Sequence, residues 1–250
     1  EAQFKRMTEG SVEKLIATLS VPTVIAMLVT SVYNMADAYF VSQIGTSASG
    51  AVGVVFSLMA IIQAFGFALG MGSGSLISRL MGEQKTDEAS KIASSAMFFG
   101  LAIGVILTVG CSVWISDLML FFGSTETILP HAIDYGKYII YGAPVMIGSF
   151  IMNNILRSQG KPKYAMFGIG AGGILNVILD PIFIFTFNMG IKGAAVATLV
   201  SQCVSFLVLA SFFVLGKTET KISPKRISFR VHDYFMIFKT TPGSDVSLTG

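Results

Sequence analysis

Two aspartates stand inside long apolar runs of a chain that otherwise keeps its charges near the run ends. Asp37 lies in YNMADAYFVSQIG and Asp180 in ILNVILDPIFIF. A carboxylate at the centre of a bilayer costs at least ~2.5 kcal/mol on insertion scales, so an acid kept there is a functional candidate by default. Asp117, Asp134 and Lys137 lie at run ends, where their side chains reach water. Neutral oxygens stand beside the two acids. Tyr33 precedes Asp37, and Asn176 precedes Asp180, by one helical turn on the same helix face. Two carboxylates in a dry cavity cannot both stay ionised cheaply, so such a pair shares a proton or holds a cation. A hard cation takes oxygen ligands, which carboxylate, amide, hydroxyl and freed carbonyl groups all supply. Pro181 lacks an N–H and leaves the carbonyl of Val177 without its helical donor, and Pro22 does the same to Thr18. Both prolines are candidate hinges.

Other polar residues in the runs carry two readings each. Asn34 either lines the cavity with Asp37 or faces a neighbouring helix. Gln202 is a candidate cavity residue, although Gln63, Asn153, Asn154 and Gln202 all read more simply as hydrogen-bonders between helices. Cys111 and Cys203 lie in apolar runs and read as small packing residues, with no CxxC or Cys/His cluster to suggest a metal. No P-loop, GxSxG or metal-ligand spacing is present, so neither an enzyme nor a cofactor is expected, and no nucleic-acid partner either.

The elements that position these groups follow from composition. The chain has 250 residues, 53% hydrophobic and 12% charged, with mean hydropathy +0.72. A soluble domain carries about 25% charged residues, so the expectation is an all-α integral membrane protein. Six runs reach the ~20 apolar residues that a spanning helix needs: 15–40, 50–78, 93–116, 133–156, 164–187 and 192–215. Short separators rich in Gly, Ser, Thr and Pro divide them. The first 14 residues are polar and the run after them is too long for a signal-peptide core, so no cleavable signal is expected. Of the 17 Lys and Arg residues, only Lys137 and Lys192 fall on the side opposite the termini. That asymmetry predicts both termini in the cytoplasm. Gly66, Gly70 and Gly74, and Gly168 with Gly172, form GxxxG stripes that allow close helix packing. Trp114 reads as an anchor at the outer interface.

Depth links the two acids. Asp37 lies about 30 Å along span one from its cytoplasmic entry and Asp180 about 24 Å along span five. Thr198 lies about 9 Å below the outer surface on span six. Asp37, Asp180 and Thr198 thus fall in the same outer half of the membrane, with Tyr33 and Asn176 one turn below.

The ordered set EGSVEKLIATLSVP, YNMADAYFVSQIG, GFALGMGSGSLISRLMGEQ, LRSQGKPKYAM, ILNVILDPIFIF and GAAVATLVSQ resembles the N-terminal lobe of the multidrug and toxic compound extrusion (MATE) transporters, over residues 9–216. The resemblance implies a six-helix bundle that forms one lobe of a twelve-helix transporter. It implies export of organic cations in exchange for H⁺ or Na⁺, from a multi-pass protein of the cell's inner (plasma) membrane. It places the coupling-cation site on Asp37, Asn176, Asp180 and Thr198, with the backbone of Ala194 as a further Na⁺ ligand, and it matches Pro22 to a proline at which the first helix bends. Expected partners are organic cations, membrane lipids, and either a C-terminal lobe or a second copy of the chain. Residues 1–216 are read as the lobe. Residues 217–239 are read as a basic cytoplasmic linker with the possible start of a seventh helix at YFMIF, and 240–250 as a polar, disordered tail. The chain is expected to be one half of a longer transporter. Two other functions fit the same architecture: a lipid-precursor flippase of the same superfamily, and a membrane scaffold that transports nothing. No Arg or Lys lies deep in the spans, which speaks against a cavity for anionic headgroups.

Overall fold

The computed structural model describes residues 12–223. The expectations for 224–250, a seventh helix and a polar tail, lie outside the described residues. Every regular element among them is helical: α1 (Val12–Ser42), α2 (Thr46–Gly82), α3 (Thr86–Val113), α4 (Ile115–Phe121), α5 (Leu129–Ser158), α6 (Pro162–Pro181), a π-helical turn (Ile182–Thr186) and α7 (Ile191–Val214). Six helical stretches are long and apolar enough to cross a membrane. They are the six predicted spans, with α6 and the π turn forming the fifth. The protein is a multi-pass membrane protein, and residues 12 and 223 lie at one end of the bundle, here the terminal end.

Helix starts and stops obey local chemistry. Prolines stand in the first turn of α5 and of α6, where a missing N–H costs nothing. Gly160 and Gly190 take positive φ in the turns before α6 and α7, which a Cβ would resist. Between α2 and α3 the left-handed residue is Gln84 instead of a glycine. Span three ends earlier than its apolar run suggests. The helix breaks at Trp114 and restarts as the short α4, which buries Ile115 and Met119 and exposes Trp114, Leu120 and Phe121.

α5 is the axis of the bundle, with 72% of its most apolar window buried, against 17% for α1. α2, α3 and α7 pack around it, and α1 rests mainly on α6. The glycine stripes do what their spacing predicts. A Cβ at Gly66 would lie 2.8 Å from Phe150, at Gly70 2.8 Å from Asn154 and at Gly74 3.3 Å from Ser158. One face of α2 therefore seats on residues spaced by four along α5. Gly168 and Gly172 seat α6 against Leu209 and Ser205 of α7 in the same manner. Asn153 bridges α5 to the carbonyl of Ala165 at 3.0 Å, as expected of an interhelical bonder. Asn154 instead donates to Phe150 of its own helix at 2.8 Å. Cys111 and Cys203 are free and half-buried.

Pro144 lies inside α5 and cannot donate to the carbonyl of Ile140. The Thr108 hydroxyl of α3 reaches that carbonyl at 2.8 Å, sharing its one hydrogen with the Gly104 carbonyl of its own helix at 2.9 Å. The two helices come close enough there because residue 104 of α3 is glycine, where any Cβ would collide with Pro144.

Candidate functional site

The chain turns at Asp180 and Pro181. α6 ends on the proline, and the next residues wind as a π turn closed by Phe187 N–H donating to the Ile182 carbonyl at 2.9 Å. A proline that denies one helical bond is thus followed by a widened turn, and single π turns often mark functional positions. α7 returns tightly against this turn. A Cβ on Gly193 would lie 2.7 Å from the Phe183 oxygen, so only glycine lets the first turn of α7 press there. That approach carries Ala194 and Thr198, both buried, back along α6 towards Asp180. Pro22 sits within an α1 that runs unbroken from Val12 to Ser42.

Four helices then contribute to one network. Asp180 is fully buried and Asp37 is 5% exposed. Asn176 Nδ2 donates to Asp180 Oδ1 at 3.2 Å and lies 3.4 Å from Thr198 Oγ1. Tyr135, from the start of α5, donates its hydroxyl to Asp37 Oδ2 at 3.3 Å and hydrogen-bonds with Thr198 as well. The path Asp180–Asn176–Thr198–Tyr135–Asp37 joins α6, α7, α5 and α1.

Among the described residues, seven buried side-chain polar atoms have no hydrogen-bond partner, and three of them are Asp37 Oδ1, Asn176 Oδ1 and Asp180 Oδ2. All three are oxygens that accept. A buried acceptor left unpaired costs about 1–3 kcal/mol, more when charged. Such oxygens take a donor or a positive ion: a water, a protonated partner or a cation. No group of three or more His, Cys, Asp or Glu forms among the described residues. The network holds two carboxylates among neutral oxygens, up to two negative charges, which protons or an oxygen-ligated cation would offset.

Tyr135 was not singled out from the sequence. Six residues into its helix, it lies about 9 Å below the same surface as Thr198. The apolar run begins at 133 and so puts Tyr135 only about 3 Å deep, because the helix starts four residues earlier, at Leu129, than the apolar pattern does.

A cleft borders the network, lined among others by Thr30, Tyr33, Ser149, Asn153, Asn176 and Gln202. Tyr33 and Gln202 are among its lining residues, and Asn34, half-buried, is not. The two aspartates are not lining residues either. Asn176 and Thr198 are shared between cleft and network, with the acids behind them. Ser149 and Ser201 also line the cleft, and their hydroxyls are buried without partners.

The MatE family profile matches residues 22–182. The multidrug export protein MepA of Staphylococcus saprophyticus is 30% identical over 215 residues, which are 86% of this chain and 48% of MepA. A MATE structure in the straight conformation superposes with a TM-score of 0.88 at 32% identity, covering 94% of this chain and 53% of that one. A MATE structure in the bent conformation gives 0.87 at 32% identity, covering 96% and 53%. The chain spans about half the length of the proteins it matches.

Proposed function

The chain belongs to the MatE family and corresponds to the N-terminal lobe of its transporters, and from that premise we propose that it is the cation-handling half of a multidrug exporter. The network carries this reading. Two buried acids and an amide joined by one hydrogen-bonded network carry three unpartnered oxygens, in a protein whose relative is named for multidrug export. Protons or Na⁺ entering the network satisfy those oxygens and neutralise the acids. The empty network, with its repelling carboxylates, favours a different helix arrangement from the occupied one. A ligand shifts an equilibrium between two states only by its difference in affinity for them. Coupled to a second lobe, that difference drives exchange of H⁺ or Na⁺ for an organic cation.

α1 is the element best placed to move. It carries Asp37 and Pro22, and it is the least buried span. Relatives occur in straight and bent forms, and Pro22 is the position in α1 where a bend costs least, since one helical bond is already missing there. In this reading both termini lie in the cytoplasm and the protein resides in the cell membrane. A C-terminal lobe, or a second copy related by an axis normal to the membrane, completes the substrate cleft.

Thermal unfolding of the purified chain in detergent tests the reading, with Na⁺ against choline at constant ionic strength and at several pH values. Saturating ligand at about 100 times its Kd stabilises by about 2.7 kcal/mol. The wild type is expected to gain stability with Na⁺ or with acid, and Asp37→Asn and Asp180→Asn to lose that gain while still inserting. Equal gains in all three proteins would overturn the assignment.

A further inference from the structure

At the terminal end, the stretch that follows α7 does not leave the bundle. Three of its backbone N–H groups are each received by a side chain of another element. Glu219 N–H donates to Gln159 Oε1 at 3.0 Å, Lys221 N–H to Ser90 Oγ at 3.1 Å and Ser223 N–H to Ser94 Oγ at 3.1 Å. These are alternate residues, the spacing at which an extended chain presents its N–H groups to one side. The receiving side chains are themselves held. Gln159 is 3% exposed and its amide nitrogen donates to the hydroxyl of Thr220, which is fully buried. Ser90 and Ser94 donate back into their own helix, to Thr86 and Ser90 carbonyls at 2.9 and 2.8 Å, which leaves their lone pairs for the incoming amides. Lys161 adds bonds to the Lys217 carbonyl at 2.7 Å and to Glu219 at 2.9 Å.

We propose that residues 217–223 are a clamp that fastens the ends of α3, the α5–α6 turn and α7 into one frame. The segment begins on α7, crosses the α5–α6 turn at Gln159 and Lys161, and ends on α3. α2 joins the same frame separately, through Ser78 Oγ donating to the Ser158 carbonyl at 2.9 Å. None of these bonds reaches α1. The clamp therefore holds the ends of α3, the α5–α6 turn and α7 together at this end, and the described segment finishes at Ser223 on α3. The inference rests on the side-chain-to-backbone bonds alone and stands whether or not the buried network binds a cation.

Residue-resolved hydrogen–deuterium exchange on the purified 250-residue chain tests it, using wild type, Ser94→Ala and Gln159→Ala. In the wild type the amides of Glu219, Lys221 and Ser223 are expected to exchange at least about tenfold more slowly than an unstructured chain. In Ser94→Ala, exchange is expected to rise at Ser223 and also at Leu215 and Lys217, which close the last turn of α7 on Ser211 and Phe212. That spread from α3 to α7 is the signature of a clamp. Unprotected amides in the wild type would overturn the proposal, and so would a rise confined to the substituted contact.

Discussion

At the scale of single residues, the question is how two buried acids coexist. Asp37 has one oxygen bound by Tyr135 and one left open, and Asp180 has one bound by Asn176 and one left open. Each acid is thus half satisfied, which holds it in place without filling it. Tyr135 is the hinge point of this balance, because it reaches both Asp37 and Thr198. Tyr135→Phe keeps the ring and deletes the donor. A hydrogen bond to a charged group contributes about 1.5–3 kcal/mol, so the variant should be less stable by an amount in that range and unfold at lower temperature. It should also show a weaker Na⁺- or acid-dependent gain than wild type in the same thermal assay. A Tyr135→Phe protein as stable and as responsive as the wild type would show that Asp37 does not depend on the tyrosine. Depth along the spans was enough to bring Asp37, Asp180, Asn176 and Thr198 together on paper. It could not show which hydroxyl bridges them, since that depends on helix rotation, to which a count of residues along an axis is blind.

At the scale of elements, length and composition of the six spans were legible because each run must cross a fixed thickness of hydrocarbon. Two features were not. The break at Trp114 leaves the apolar pattern unbroken, so hydropathy continues across it while the backbone does not. The π turn after Pro181 differs from an α-helical continuation by a single backbone bond per turn, and the same residues serve both. A third element-scale feature becomes clear only in three dimensions, the pairing of Pro144 with Thr108. Thr108→Val keeps the shape and leaves the Ile140 carbonyl unpaired between α3 and α5. The expected loss is about 1–2 kcal/mol, the upper part of the range for interhelical bonds in membranes. In a Pro144→Ala background the alanine N–H can serve Ile140 itself, and the same substitution should then cost clearly less. Chemical denaturation of the four proteins of that cycle measures the difference. Equal costs in both backgrounds would mean that the threonine does not compensate for the proline.

At the scale of the whole molecule, the bundle is lopsided. α5 is enclosed on nearly every side, whereas α1 leans on α6 and turns Val24, Leu28, Val32 and Met35 outward. A lobe with one lightly held span on a clamped frame suits a machine in which a single helix reports the state of a buried site. Its orientation can be checked directly. Single cysteines at Lys137 and Lys192 should react with a membrane-impermeant thiol reagent added to intact cells, and cysteines at Lys85 and Lys161 should react only after lysis, in a background where Cys111 and Cys203 are serine. The reverse pattern would invert the proposed topology.

The long separation between Asp37 and its partner has a consequence for biogenesis. The hydroxyl that donates to Asp37 is 98 residues further along the chain. While the ribosome is still making α3, α1 is already at the translocon with its carboxylate in hydrocarbon and neither Tyr135 nor Thr198 yet synthesised. The acid that equips the finished lobe is a handicap to the nascent one. An apolar residue at position 37 would ease the entry of the first helix even as it empties the site that helix was inserted to complete.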